Sequence, residues 1–149
     1  SREIARYGGL AHRMPIYAAV FMLFMLASVG LPGTSGFVGE FLIMLGAFEA
    51  STWVALLIAT GMVLGAAYML YLYRRVIFGQ MTKDDLKSIL DLNPREIAIF
   101  VPLIVLVLWM GVYPTSFLDP ISTSVTNLLD NYHGALAAVD GGKALAATR

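Results

Sequence analysis

The chain has 149 residues, 58% of them apolar and 13% charged, with a mean hydropathy of +0.75. Soluble domains carry about 45–50% apolar and about 25% charged residues, and a chain this short has too little interior to hide the excess, so lipid is the expected second solvent. The same figures exclude disorder, the balance of ten Lys+Arg against ten Asp+Glu leaves no net field for nucleic acid, and the lack of cysteine excludes disulfides, Cys-ligated zinc and protein-bound iron–sulfur.

The charges are bunched. Met14–Gly39, Ala50–Tyr73 and Ile97–Leu118 are charge-free runs of 26, 24 and 22 residues. About 20 apolar residues span a hydrocarbon core of ~30 Å, so the reading is an all-α, polytopic membrane protein with three transmembrane passages. No signal peptide accounts for the first run. The chain opens on Ser1-Arg2-Glu3 without Met, so a fragment, a processed product or a separate N-terminal part is expected. Lys and Arg collect at Arg2, Arg6 and Arg13 and again at Arg74, Arg75, Lys83, Lys87 and Arg95, whereas the tail has only Lys143 and Arg149. By the positive-inside rule, the lead-in 1–13 and the 79–93 loop are expected on the cytoplasmic or matrix side. The 49–52 turn and the tail are expected on the other.

In chain order, the first passage, 14–49, is predicted to be a broken helix. A continuous apolar stretch to Val29 meets Gly30, Pro32, Gly33, Gly36 and Gly39, and then a half-helix runs from about Val38 to Glu49. Proline removes a backbone donor, and each glycine costs about 1 kcal/mol of helix propensity relative to alanine. The alternative is a full helix followed by a short returning one. A return would bring Thr52 back to the basic side, against the charge pattern. Broken helices at membrane depth mark transport sites. The second passage, 53–78, carries Gly61-Met62-Val63-Leu64-Gly65 with Ala66 and Ala67, small residues that let helices approach closely. Packing within a larger bundle is preferred to dimerisation. Trp53 at one end and Tyr68, Tyr71 and Tyr73 at the other read as aromatic belts rather than as a cofactor box.

Thr82-Lys83-Asp84-Asp85 is a helix-cap pattern, and Leu86, Ile89 and Leu90 share a face, so the 79–93 loop is expected to hold a short interfacial helix. Asn93-Pro94-Arg95-Glu96 starts the third passage, 94–114, with Asn as cap, Pro at the first position and Glu in the first turn. Pro102 lies within it. Ile121, Val125, Leu128, Leu129, Tyr132 and Leu136 recur at three- to four-residue spacing. They predict a C-terminal amphipathic helix over 119–138, with a flexible tail over 139–149.

Glu40 is the candidate for chemistry. It stands between charge-free runs of 26 and 8 residues, so it is expected deep in the bilayer, where carboxyl groups are costly and often serve proton or ion paths. Low dielectric disfavours the charged form of a carboxyl, and a nearby lysine favours it; that opposition suits a proton relay. The alternative is a neutral carboxylic acid bonded to the broken backbone. Glu49, at the half-helix end, is within reach of water. No dinucleotide, phosphate-loop or zinc-protease motif is present, and His12 and His133 stand apart. No cofactor or metal is expected on this chain.

Gly30 to Ala47, preceded by Gly8-Gly9-Leu10 and Met14-Pro15 and followed by Tyr71–Gly79 and Gly111-Val112-Tyr113-Pro114, strongly resembles the chain M (mitochondrial subunit 4) family of proton-pumping NADH:quinone oxidoreductase, respiratory complex I. The Phe37-Val38-Gly39-Glu40-Phe41 form is specific; related antiporter-like subunits resemble Phe-x-x-Lys there. The resemblance implies the last three of the family's fourteen transmembrane helices, with the broken helix equivalent to the twelfth and Glu40 to that helix's glutamate in a central line of ionisable groups. It implies a proton-translocating segment that couples electron transfer to pumping. NADH, FMN, iron–sulfur clusters and quinone would sit in partner subunits. Its partners would be other membrane-arm subunits, the missing N-terminal helices among them, in a bacterial inner or mitochondrial inner membrane. The competing reading is a subunit of a multisubunit cation/proton antiporter without redox coupling.

Overall fold

The computed structural model describes residue 4, residues 7–81, residue 86 and residues 88–147, with side chains to residue 137. Among these residues the fold is all-helical, without strands: α1 (Pro15–Val29), α2 (Ser35–Ala50), α3 (Thr52–Ile77), α4 (Pro94–Val112) and α5 (Thr115–Ala147), preceded by a 3-10 turn at Leu10–His12. At 1.5 Å per residue, α3 with its 26 residues is about 39 Å long and α4 with 19 about 28 Å. Both are long and apolar enough to cross a membrane, and α1 is a shorter apolar helix. The Thr82-Lys83-Asp84-Asp85 cap lies outside the described residues; of the three residues read as one face of an interfacial helix, Leu86 is buried, Ile89 half-buried and Leu90 exposed.

The residues up to Val112 form one compact unit. Its small core joins Leu10 of the lead-in, Ala18 and Met25 of α1, and Tyr73 and Ile77 of α3. Tyr73 is buried among them, and its hydroxyl donates to the Ala18 carbonyl at 3.1 Å. Of the three tyrosines read as a belt, therefore, Tyr73 is a core residue, while Tyr68 and Tyr71 are exposed. Tyr71 Oη accepts a hydrogen bond from Arg75 at 3.1 Å. The lead-in lies against the end of α3, where glycines allow backbone to touch backbone: Gly9 has φ +70, and a Cβ there would press on the Gly79 carbonyl.

Contacts fix the relative order of the helices. Along α3, Tyr73 meets Ala18 near the start of α1, Gly61 and Gly65 lie with Ser28, Val29 and Glu40, and α3 begins two residues after α2 ends. Helix α3 therefore runs opposite to α1 and α2 in succession. Helix α4 runs alongside α1 in the same sense. Asp91 holds the backbone of Ile16 and Tyr17, Phe100 faces Phe24 at 6.1 Å between ring centroids, and Gly111 abuts Gly33 and Thr34.

The start of α4 is a reciprocal capping box. Asn93 Oδ1 accepts from the Glu96 N–H at 2.9 Å, and Glu96 Oε2 accepts from the Asn93 N–H at 2.9 Å, satisfying two donors of the helix end. Pro102 is accommodated inside α4.

Residues from Tyr113 onward form a second unit, consisting of α5. This helix begins at Thr115 rather than 119 and continues to Ala147, where a flexible tail was expected from 139. Alanine at 135, 137, 138, 144, 146 and 147 has the highest helix propensity, and it offsets the cost of Gly141 and Gly142. Leu118, Ile121, Val125, Leu128, Leu129, Tyr132 and Leu136 are exposed along it.

Candidate functional site at the helix break

The break between α1 and α2 is two consecutive turns built by local sequence. Helix α1 ends in a Schellman motif: the Leu31 N–H donates to the Leu26 carbonyl at 3.0 Å and the Gly30 N–H to the Ala27 carbonyl at 3.4 Å, with Gly30 left-handed at φ +85. Leu31-Pro32-Gly33-Thr34 then closes a four-residue turn, the Thr34 N–H donating to the Leu31 carbonyl at 3.1 Å. Pro32 supplies the fixed φ of the second position, and Gly33, at φ +92, the left-handed third. The buried Thr34 hydroxyl donates to the same Leu31 carbonyl at 2.7 Å.

Gly30, Pro32 and Gly33 lie in the two turns that separate α1 from α2. Gly36 and Gly39 do not: both lie inside α2, which starts at Ser35 instead of about 38. The cost of two helical glycines is about 1 kcal/mol each, and backbone pairing along α2 outweighs it. Gly36 has a packing role, because a Cβ there would overlap the Ala27 carbonyl of α1. Gly39 faces open space.

Glu40 lies on the second turn of α2, partly buried, with its side chain folded back against Gly30. Its Oε2 is buried and has no hydrogen-bond partner among the described residues. Beside it is a cavity of about 350 Å³, lined by Ser28 and Val29 of α1, Glu40 of α2, and Gly61, Met62, Gly65, Ala66 and Tyr68 of α3. The glycine pair of α3 therefore opens space next to the carboxyl. Glu49 is exposed at the end of α2, away from this cavity. His12 and His133 are exposed, and among the described residues no three His, Cys, Asp or Glu side chains come together in a metal-binding group.

Two positioning features were not visible in the sequence. Asp91, in the loop before α4, accepts backbone N–H bonds from Ile16 at 2.8 Å, Tyr17 at 3.1 Å and Leu92 at 2.8 Å. It caps α1 from 74 and 75 residues away, a long-range pairing that no local pattern announces. Burial pushes its carboxyl up, but the three N–H bonds from Ile16, Leu92 and Tyr17 outweigh it and hold the group below the ordinary range. Gly111 of α4 is the other: a Cβ on it would overlap the Gly33 carbonyl and the Thr34 nitrogen, so only glycine lets α4 reach the break.

Among the described residues, an all-helical fold, two helices long and apolar enough to cross a membrane, and a helix break beside a buried carboxyl oxygen are features of helical membrane proteins. Residues 1–65 match the family described as NADH:quinone oxidoreductase/Mrp antiporter, transmembrane. The chain is 56% identical to NADH-quinone oxidoreductase subunit M of Rhodobacter capsulatus over 93% of its own length and 27% of that protein's. It is 52% identical to NADH-ubiquinone oxidoreductase chain 4 of Marchantia polymorpha, over 88% of this chain and 26% of that one. Among solved structures it resembles a chain of respiratory complex I from Thermus thermophilus with bound NADH, with a TM-score of 0.71 and 39% identity over 77% of this chain and 24% of that one. The chain belongs to the subunit M/chain 4 family of NADH:quinone oxidoreductase and matches a C-terminal region of it. It spans about a quarter of the length of the curated relatives it matches.

Proposed function

We propose that this chain is a proton-translocating segment of the membrane arm of NADH:quinone oxidoreductase, in which Glu40 takes up and releases a proton as electron transfer proceeds elsewhere in the enzyme. The observation that carries the reading is the Glu40 carboxyl: buried at Oε2, without a hydrogen-bond partner among the described residues, and next to a cavity at a helix break. A carboxylic acid whose role was to stabilise the kink would spend its oxygens on the freed backbone. The Gly30, Leu31 and Thr34 N–H groups are paired with the Ala27, Leu26 and Leu31 carbonyls, and Glu40 Oε2 accepts from no group among the described residues, which supports proton exchange over a bond that braces the kink. Freed helix ends and room for water are the features of discontinuous helices at ion sites.

In this reading α1 and α2 make one broken passage, and α3 and α4 make two more, in a bacterial inner or mitochondrial inner membrane. The antiparallel course of α3 against α1 and then α2 supports a single broken passage over a returning half-helix. Helix α5 is the amphipathic tail element. Other membrane-arm subunits, with the helices that precede this region in the longer relatives, would be the partners, and NADH, FMN, iron–sulfur clusters and quinone would be held by other subunits. The family description also names antiporters. Relatives at 52–56% identity carry the quinone oxidoreductase name, which favours redox coupling over a cation/proton antiporter.

The test is Glu40→Gln in the assembled enzyme, reconstituted into vesicles with a pH-sensitive dye. Proton pumping and coupled quinone reduction are expected to fall with assembly intact, while Glu49→Gln has little effect. Normal pumping by assembled Glu40→Gln would reduce Glu40 to a structural residue of the kink.

A further inference from the structure

We infer that Gly30 is a positioning residue for Glu40: the missing side chain at Gly30 is the seat against which the carboxyl rests, and it sets where the proton is held relative to the α3 cavity. The inference rests on the relay reading of Glu40. Three observations carry it. A Cβ on Gly30 would overlap Glu40 Oε2 and crowd its carboxyl carbon at 3.2 Å. The displaced atoms would be the far end of a flexible side chain, so a substitution would move the carboxyl before it moved the helices. Oε2, the oxygen nearest the space that a Gly30 Cβ would fill, has no hydrogen-bond partner among the described residues, so no bond at that oxygen resists its displacement.

Gly30 has a second role, as the left-handed C-cap of α1, and any L-residue there is strained. The molecule contains its own control. Gly33, three residues on, is also left-handed at φ +92, yet a Cβ there meets nothing within 4 Å. Gly33→Ala therefore imposes a comparable backbone strain on the same break without touching the carboxyl. Glu40→Asp supplies the complementary change, since a side chain shorter by one methylene withdraws from the space a Cβ at Gly30 would fill. Besides Glu40, the described cavity lining contains one titratable group, Tyr68 on α3. Charged residues are absent from the sequences of α1 and α4 facing the break, between Met14 and Gly39 and between Ile97 and Leu118.

The experiment measures proton pumping per electron pair against pH for the assembled enzyme in vesicles, with assembly quantified separately. Gly30→Ala is expected to shift the midpoint of the profile by about one pH unit, the spread that environment imposes on carboxyl groups in folded proteins. Gly33→Ala is expected to lower assembly comparably while each assembled complex keeps the wild-type midpoint. On the Glu40→Asp background, Gly30→Ala is expected to add no further shift. Equal behaviour of Gly30→Ala and Gly33→Ala would show that only backbone strain matters and would overturn the inference, as would a Gly30→Ala shift undiminished in the Glu40→Asp background. If Glu40→Gln loses pumping but Gly30→Ala pumps with the wild-type profile, the relay stands and the positioning role fails. If Glu40→Gln pumps normally, both fail.

Discussion

Single residues decide how the ends and breaks of these helices are held. Asp91 is the most exposed to test, because its three backbone bonds fasten α1 to the loop before α4. Asp91→Ala removes the acceptor for two first-turn N–H groups of α1 and should cost about 1 kcal/mol, the usual loss on deleting an N-terminal cap. A lower midpoint of thermal inactivation of the assembled enzyme would register it; an unchanged midpoint would mean that water replaces the cap at no cost. The pH dependence follows from the direction of the shift. Since the folded carboxyl is held below its unfolded value, its contribution is complete above about pH 4. It declines as pH falls through the lower folded value. Acid destabilisation in that window should therefore be smaller in Asp91→Ala than in the parent chain.

At the scale of elements, the break depends on α4 as much as on α1 and α2. Gly111→Leu would force a side chain into the Gly33–Thr34 peptide. Overpacking of this kind costs about 1–3 kcal/mol, so lower assembly is expected, read as the amount of this subunit retained in the purified enzyme. Gly39→Ala, by contrast, faces open space in the middle of α2. It should be neutral or gain about 1 kcal/mol from helix propensity, and a large loss there would show that a neighbouring subunit packs on Gly39. The course of the elements across the membrane has its own test. Single cysteines at positions 2 and 83 are expected to label from one side with an impermeant thiol reagent, and those at positions 52 and 146 from the other. Labelling of 52 and 83 from the same side would sink the three-passage arrangement.

Among the described residues, many large apolar side chains are exposed and few are buried. Neither α2 nor α4 contains a buried residue, and Leu57 and Val63 on α3 are 70% and 69% exposed. Lipid can cover such side chains. The polar backbone at the break needs protein or water around it at membrane depth, and the curated relatives are far longer than this chain. Expressed alone in detergent, residues 1–149 should therefore aggregate or be proteolysed. A monodisperse, protease-resistant monomer would mean that the described helices suffice.

What could be read from residue order was whatever acts locally. The charge-free runs marked the apolar stretches, because solvent preference is carried residue by residue. Gly30, Pro32 and Gly33 marked the break, because turn conformations are decided within four or five residues. Asn93 to Glu96 marked the start of α4 for the same reason. Local rules misjudged Gly36 and Gly39, where pairing along α2 overrode intrinsic propensity, and Tyr73, which an aromatic-belt pattern cannot distinguish from a core tyrosine. Three features depended on segments distant in the chain meeting in space: the carboxyl of Glu40 against Gly30 and the α3 glycines, the cap that Asp91 places on α1, and the approach of Gly111 to the break. Such contacts arise from packing, in which backbone may touch backbone only where a side chain is missing. A sequence shows which side chains are missing, but only the folded arrangement decides what comes to lie against them.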